Sequence, residues 1–287
     1  MLAVVGTVPD PDIPVIQGYV ELKDSKLYVD GTEIDINRGT PALLASTASL
    51  LDYLQKGPVY AFLAGDVGLG HGSRKLYSHL SATIRDYSFQ TLVFHYLLPD
   101  VDHHLKVLMA MQEMNPRPLL IADAGFMYAA KMSGESGKYD LFTPDVGELA
   151  FLADENAPHP FYTRGFILAE ENKTPELIQR AYNHDNAAGY LLVKGRQDYV
   201  ASRQGIIETV DSPMVEALEA VGGTGDMLTG LVSALIDSGL EMEKAMGLAA
   251  RINRTTGLLA DPTPAFQIKD IMRHIPEAYD RVINRPD

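Results

Sequence analysis

Val221-Gly222-Gly223-Thr224-Gly225-Asp226-Met227-Leu228-Thr229-Gly230 is the stretch on which the reading of this chain turns. From Met227 onward the apolar residues Met227, Leu228, Leu231, Val232, Leu235 and Ile236 recur at helical spacing, and Gly239 is placed to end that helix. The segment therefore predicts a glycine-rich loop running into a helix N-terminus, where unpaired amides and the helix dipole favour an anion. Asp226 stands in that first turn. An aspartate there complements the dipole for about 0.3–1 kcal/mol; beside a bound phosphate the same charge is misplaced unless it does chemistry or helps hold a metal ion.

Working outward, apolar strand-like runs alternate with helical segments: Val59 to Ala64, Thr91 to Leu97, Pro118 to Ala122, Tyr139 to Phe142 and Tyr190 to Val193. Such a pattern predicts an α/β fold with a mainly parallel sheet covered on both faces. A hairpin, Tyr199 to Ser202 and Ile206 to Val210, precedes the glycine loop, and Pro41 opens a helix through about Leu54. Residues 1–36 read as an atypical N-terminal β segment, with strands at Gly18 to Leu22, Leu27 to Val29 and Thr32 to Ile36. With no Pro/Gly/Ser linker and no repeat, residues 1–287 read as a single domain.

In parallel sheets ligands bind beyond the carboxyl ends of the strands, and polar groups follow four of the runs. Gly65-Asp66-Val67-Gly68-Leu69-Gly70 leaves the first, allowing close approach of a ligand or making a plain surface turn. Asp123 leaves the third as a ligand group or a helix cap. Thr143-Pro144-Asp145-Val146-Gly147-Glu148 leaves the fourth: either Thr143 caps the helix with the later acid, or Asp145 and Glu148 hold magnesium through water. Lys194-Gly195-Arg196 leaves the fifth, and the lysine either snorkels to solvent or meets an anion, phosphate or carboxylate. His71 and the pair His103-His104 are read as lying in polar surroundings, without chemistry.

Composition narrows the alternatives. The 287 residues contain no cysteine, which removes thiolate catalysis, disulfides and cysteine-ligated metals. A formal net charge of −14 argues against nucleic acid, and no apolar run suits a membrane span or signal peptide. A cytoplasmic protein is expected.

Taken in order, these segments resemble the ribokinase-like superfamily, and within it the ADP/ATP-dependent NAD(P)H-hydrate dehydratases. Gly39 to Ala45 is similar to that family's Gly-Ala-Pro helix start, Gly65 to Gly70 to its Gly-Pro-Gly-Leu-Gly loop, and Ile121 to Ala124 to its Asp-Ala-Asp strand end. Thr143 to Glu148 resembles Thr-Pro-His-Pro-Gly-Glu, Val193 to Gly195 resembles Leu-Lys-Gly, and Gly223 to Gly230 resembles Gly-Thr-Gly-Asp-Val-Leu-Ala-Gly. Asp145 replaces a histidine, Val146 a proline, and Asn253 stands about where a further histidine is usual.

The resemblance implies a three-layer αβα sandwich, often assembled into homo-oligomers. It implies ADP or ATP with Mg2+ over Lys194, Gly195, Arg196, Gly223, Thr224 and Gly225. Hydrated NADH or NADPH would lie near Thr40, Gly70, Asp123, Asp145 and Asp226, with Asp226 as catalytic base and Asp145 and Glu148 holding the metal through water. Two rival expectations keep the same site: a kinase for a sugar or vitamin-precursor hydroxyl, and a catalytically silent nucleotide-binding relative.

Overall fold

The computed structural model describes residues 1–160, 173–263 and 265–284. In chain order the elements are β1 (Leu2–Val8), β2 (Ile16–Lys23), β3 (Lys26–Val29), β4 (Thr32–Asp35), α1 (Thr40–Tyr53), β5 (Tyr60–Gly65), α2 (His71–Thr83), β6 (Thr91–His95), α3 (Val101–Gln112), β7 (Leu119–Ala122) and α4 (Ala124–Met132). There follow β8 (Leu141–Phe142), α5 (Val146–Ala153), α6 (Thr174–Asn183), β9 (Tyr190–Val193), β10 (Asp198–Ser202), β11 (Gly205–Val210), α7 (Thr224–Asp237), α8 (Met242–Ala260), α9 (Ile268–Met272) and α10 (Ile275–Asn284).

Eleven strands among the described residues form one sheet in the order β11-β10-β9-β8-β7-β6-β1-β5-β2-β3-β4. The block from β9 to β5 is parallel throughout. The N-terminal reading is corrected here. Residues 2–8 are the centre of the sheet, not part of an appendage: Val4 pairs with Ala61 on one side and Val93 on the other. The physical reason is composition, because Leu-Ala-Val-Val-Gly-Thr-Val offers no charge and few polar groups, and all seven residues are buried. Within the N-terminal segment, β2, β3 and β4 form an antiparallel extension, hydrogen-bonded to β5 through β2; β10 and β11 form another beside β9.

Alternate residues of these strands feed two separate apolar layers. One gathers Leu43, Leu231, Leu235, Met246 and Ile275 from α1, α7, α8 and α10; the other gathers Leu76, Leu108, Phe126, Leu149 and Ile178 from α2 to α6. The three-layer αβα arrangement follows. Helices α1 and α7 cross closely because Gly230 has no side chain: a Cβ there would lie 2.1 Å from Ser46 Oγ and 2.4 Å from the Leu43 carbonyl oxygen. No helix among the described residues is long and apolar enough to cross a membrane.

This close crossing sets α1 and α7 side by side, with their N-termini at the carboxyl edge of the parallel strands.

Candidate functional site

A cavity of about 350 Å³ lies at the carboxyl edge, lined by His95, Asp123, Asp145, Glu148, Lys194, Gly195, Gly223, Thr224, Gly225, Asp226 and Asn253 among others. Helix α7 opens it. Gly223 sits at φ 103°, a left-handed conformation open to glycine, and no side chain caps the helix. The Thr224 and Gly225 amides are therefore left for a ligand.

Asp226 follows them and is held on both oxygens: the Gly39 N–H donates to Oδ2 at 2.6 Å, and His95 Nε2 lies 3.1 Å from Oδ1. Burial would raise the Asp226 carboxyl, but the His95 hydrogen bond, Lys194 and the Gly39 amide outweigh it and hold the group below the ordinary aspartate value. It is ionised at neutral pH, as a proton acceptor must be.

Lys194, leaving β9, meets a carboxylate. Its Nζ lies 2.7 Å from Asp123 Oδ2, with the two side chains 11% and 2% exposed. Burial works against the ammonium, yet Asp123, Glu148 and Asp226 together hold its proton more firmly than in an ordinary lysine. Asp123 is the helix cap: Oδ1 caps α4 by accepting from the Ala124 N–H at 2.9 Å, while Oδ2 also accepts from the Thr229 hydroxyl at 2.8 Å. Thr229 in turn lies 3.0 Å from the Thr143 hydroxyl. Strands β7, β8 and β9 are thus tied to α7 by side chains beneath the cavity floor.

Thr143 is consequently not the cap of α5. That cap is Asp145, which accepts the Glu148 N–H at 2.7 Å while Glu148 accepts the Asp145 N–H at 2.8 Å. The reciprocal box uses one oxygen of each carboxylate. Burial and the neighbouring Asp123 charge push the Glu148 carboxyl up to about 8. Asp123, Glu148 and Asp226 thus surround one ammonium at this end of the cavity, a crowding of acidic groups that a proton on Glu148 or a divalent cation in its place would relieve. The donor set fits magnesium held through water by Asp145 and Glu148. The tighter group of His95, Asp123 and Asp226, with ligand atoms within 4.8 Å of one another, already has the Lys194 ammonium on Asp123.

Three predicted residues sit elsewhere. Thr40 is fully buried and does not line the cavity; its hydroxyl lies 3.1 Å from His95 Nδ1, behind the floor. Gly70 does not line the cavity either: the Gly65–Gly70 loop closes on itself, with Asp66 accepting from the Gly68, Gly70 and Ser73 amides and the Ser73 hydroxyl. Gly70 is the left-handed residue preceding α2. Arg196 lines two adjoining cavities, one of about 160 Å³ and one of about 400 Å³. Asn253 borders the first of these as well as the central cavity, and its buried Oδ1 has no hydrogen-bond partner among the described residues.

His95 is the site residue that sequence reasoning missed. A signal existed: it ends the apolar run of β6 just as Asp123 follows that of β7. His104 is fully buried against Phe126 and Tyr139 with the Tyr139 and Ser133 hydroxyls on its ring nitrogens at 2.7 and 3.2 Å, and burial pushes it down to about 4.

A family model described as NAD(P)H-hydrate dehydratase, of the carbohydrate-kinase type, matches residues 100–277. The match covers the Asp123, Thr143–Glu148, Lys194 and Gly223–Gly230 motifs and leaves Gly39–Ala45 and Gly65–Gly70 outside. An uncharacterized protein of Methanocaldococcus jannaschii, MJ1337, is 39% identical over 242 residues, 84% of this chain and 100% of that protein. The bifunctional NAD(P)H-hydrate repair enzyme Nnr of Pyrobaculum aerophilum is 29% identical over 168 residues, 58% of this chain and 30% of that enzyme. In fold the chain is similar to the ADP/ATP-dependent NAD(P)H-hydrate dehydratase of Bacillus subtilis, co-crystallised with ATP/Mg2+, with a TM-score of 0.57 at 15% identity over 98% of this chain and 89% of that one. A ribokinase-like sandwich, a glycine loop ending in a half-buried aspartate and a family match over more than half of the sequence lead to one conclusion: the chain belongs to the NAD(P)H-hydrate dehydratase family of carbohydrate-kinase-like proteins.

Proposed function

We propose that this protein is an ADP- or ATP-dependent dehydratase that restores hydrated NADH or NADPH. The observation that carries the reading is Asp226, an ionised carboxylate held at the N-terminus of α7 directly after the Thr224 and Gly225 amides. The hydrate hydroxyl oxygen attacks the terminal phosphorus of the nucleotide, the bond to the leaving phosphate oxygen breaks, and the hydroxyl proton passes to Asp226. A base placed in this way contributes typically about 10²–10⁴-fold. The carbon–oxygen bond to the new phosphate then breaks, and loss of a proton from the adjacent ring carbon restores the double bond. The Gly223, Thr224 and Gly225 amides would stabilise the negative charge on the phosphoryl group in transfer. Magnesium, held through water by Asp145 and Glu148, would supply charge neutralisation. Arg196 and the Asn253 amide oxygen, without a hydrogen-bond partner among the described residues, border the adjoining cavity of about 160 Å³, where the rest of the nucleotide would have room. A cytoplasmic homo-oligomer acting on small molecules, without nucleic-acid or membrane partners, goes with this reading.

The test mixes hydrated NADH with the protein, Mg2+ and ADP or ATP, and follows absorbance in the reduced-nicotinamide band. Recovery of that band supports the dehydratase. Phosphorylation of a sugar or vitamin-precursor panel without recovery replaces it by the small-molecule kinase, which the Asp145 substitution favours. Nucleotide binding with neither activity leaves a silent relative.

A further inference from the structure

The hydrogen-bond chain beneath Asp226 runs through a histidine whose protonation the geometry dictates. His95 Nε2 faces two carboxylate oxygens, Asp226 Oδ1 at 3.1 Å and Asp123 Oδ2 at 3.6 Å. A bare lone pair aimed at two anions would be repelled, so Nε2 carries the hydrogen. On the far side of the ring, Nδ1 lies 3.1 Å from Thr40 Oγ1. The ring and Thr40 are both 0% exposed. Gly6 of β1 permits this packing: a Cβ on it would come within 2.5 Å of Thr40 Oγ1 and 2.6 Å of the His95 carbonyl oxygen.

A buried chain Thr40–His95–Asp226 therefore links α1, β6 and α7, and it ends at the cavity on the carboxylate that the proposed reaction uses. A ring serving only to fill space at this depth would be apolar, because a buried polar group must be paired. Here both ring nitrogens have partners, and one partner is the proposed base. The other charged groups facing Asp226 or its partners are Lys194 after β9, Asp123 after β7 and Glu148 on α5; the Tyr96 ring, edge-on to His95 at 4.4 Å, closes the remaining side.

We propose that His95 is a positioning residue for Asp226. Its Nε2–H fixes one carboxylate oxygen while the Gly39 amide fixes the other, so that the base is oriented toward the acceptor before substrate arrives. The inference rests on the dehydratase reading for its substrate, and on the hydrogen-bond geometry alone for the tautomer.

Two variants of the full chain, His95→Phe and His95→Gln, are assayed with hydrated NADH, Mg2+ and ATP, and the wild-type imidazole is observed by ¹⁵N NMR. His95→Phe lowers kcat by about 10- to 100-fold, the scale set by one charge-assisted hydrogen bond. The KM for ATP moves by less than about twofold, as expected when only the reacting geometry is lost. The acid limb of its kcat profile moves to higher pH, because the carboxylate has lost a donor that favours its ionised form. His95→Gln, whose amide N–H can donate to Asp226, stays within about fivefold of wild type. NMR finds hydrogen on Nε2. Wild-type kcat and pH profile in His95→Phe would overturn the proposal, and so would a bare Nε2 in the wild type. If His95→Phe does not fold, an inactive His95→Gln overturns it and an active one supports it. Failure of the wild type to turn over hydrated NADH removes the dehydratase reading instead, and the NMR result still decides the His95 assignment.

Discussion

Replacing Lys194 by methionine isolates the ion pair that joins β9 to β7 under the site. Methionine preserves most of the stem volume and removes the ammonium from Asp123 Oδ2, now 2.7 Å away. Asp123 is only 2% exposed, so its carboxylate is left largely dehydrated. Breaking a buried pair by deleting one partner costs about 3–5 kcal/mol. The lower end applies, because Oδ2 keeps the Thr229 hydroxyl at 2.8 Å and Oδ1 keeps the Ala124 amide at 2.9 Å. For a chain of this size the loss corresponds to a fall in Tm of roughly 10 °C. Adding Asp123→Asn neutralises the stranded charge, and the double variant returns to within about 1 kcal/mol of wild type. Urea unfolding of wild type, both single variants and the double variant completes the cycle. A cost below about 1 kcal/mol for Lys194→Met, or single costs that merely add in the double variant, would refute the reasoning that these charges are coupled and dry.

Asp226→Asn should lower turnover of the accepted substrate by about 10²–10⁴-fold, while calorimetry finds nucleotide bound as tightly or more tightly, since a negative charge has left the phosphate loop; weaker binding argues against this placement of the phosphates. Glu148, with its carboxyl raised from the ordinary glutamate value of 4.5 to about 8, holds a proton in the folded state that the unfolded chain has released across that window. Its contribution to stability therefore diminishes as pH rises from about 5 to about 8. Glu148→Gln should flatten the change in unfolding free energy between those values, and an unchanged slope would assign it to other groups. Gly230→Ala should cost about 1–3 kcal/mol by overpacking, because its Cβ meets the Leu43 carbonyl, which cannot rotate away; a neutral result in chemical denaturation would mean that α1 and α7 separate freely.

Much of the site was legible because its parts are local. The glycine loop before α7, the lysine after β9, the aspartate after β7 and the Asp145–Glu148 pair each stand where a strand ends or a helix begins. Glycine tolerance, capping and apolar periodicity mark such places within a few residues. The same local logic also misled. Gly65–Gly70 has the composition of a ligand loop, yet Asp66 consumes its amides, and composition does not reveal which acceptor a loop amide will find.

The sequence by itself determined the element types, the parallel character of the central sheet and the residues at most strand ends, since these depend on periodicity and on neighbours within one turn or strand. Only the tertiary structure decided that β1 lies between β5 and β6, that Thr40 is buried behind His95, and that His95 and Asp226, 131 residues apart in sequence, share a hydrogen bond. Strand order is set by packing between distant segments. A short apolar run such as Leu2 to Val8 carries no local mark of its neighbours until both faces are buried.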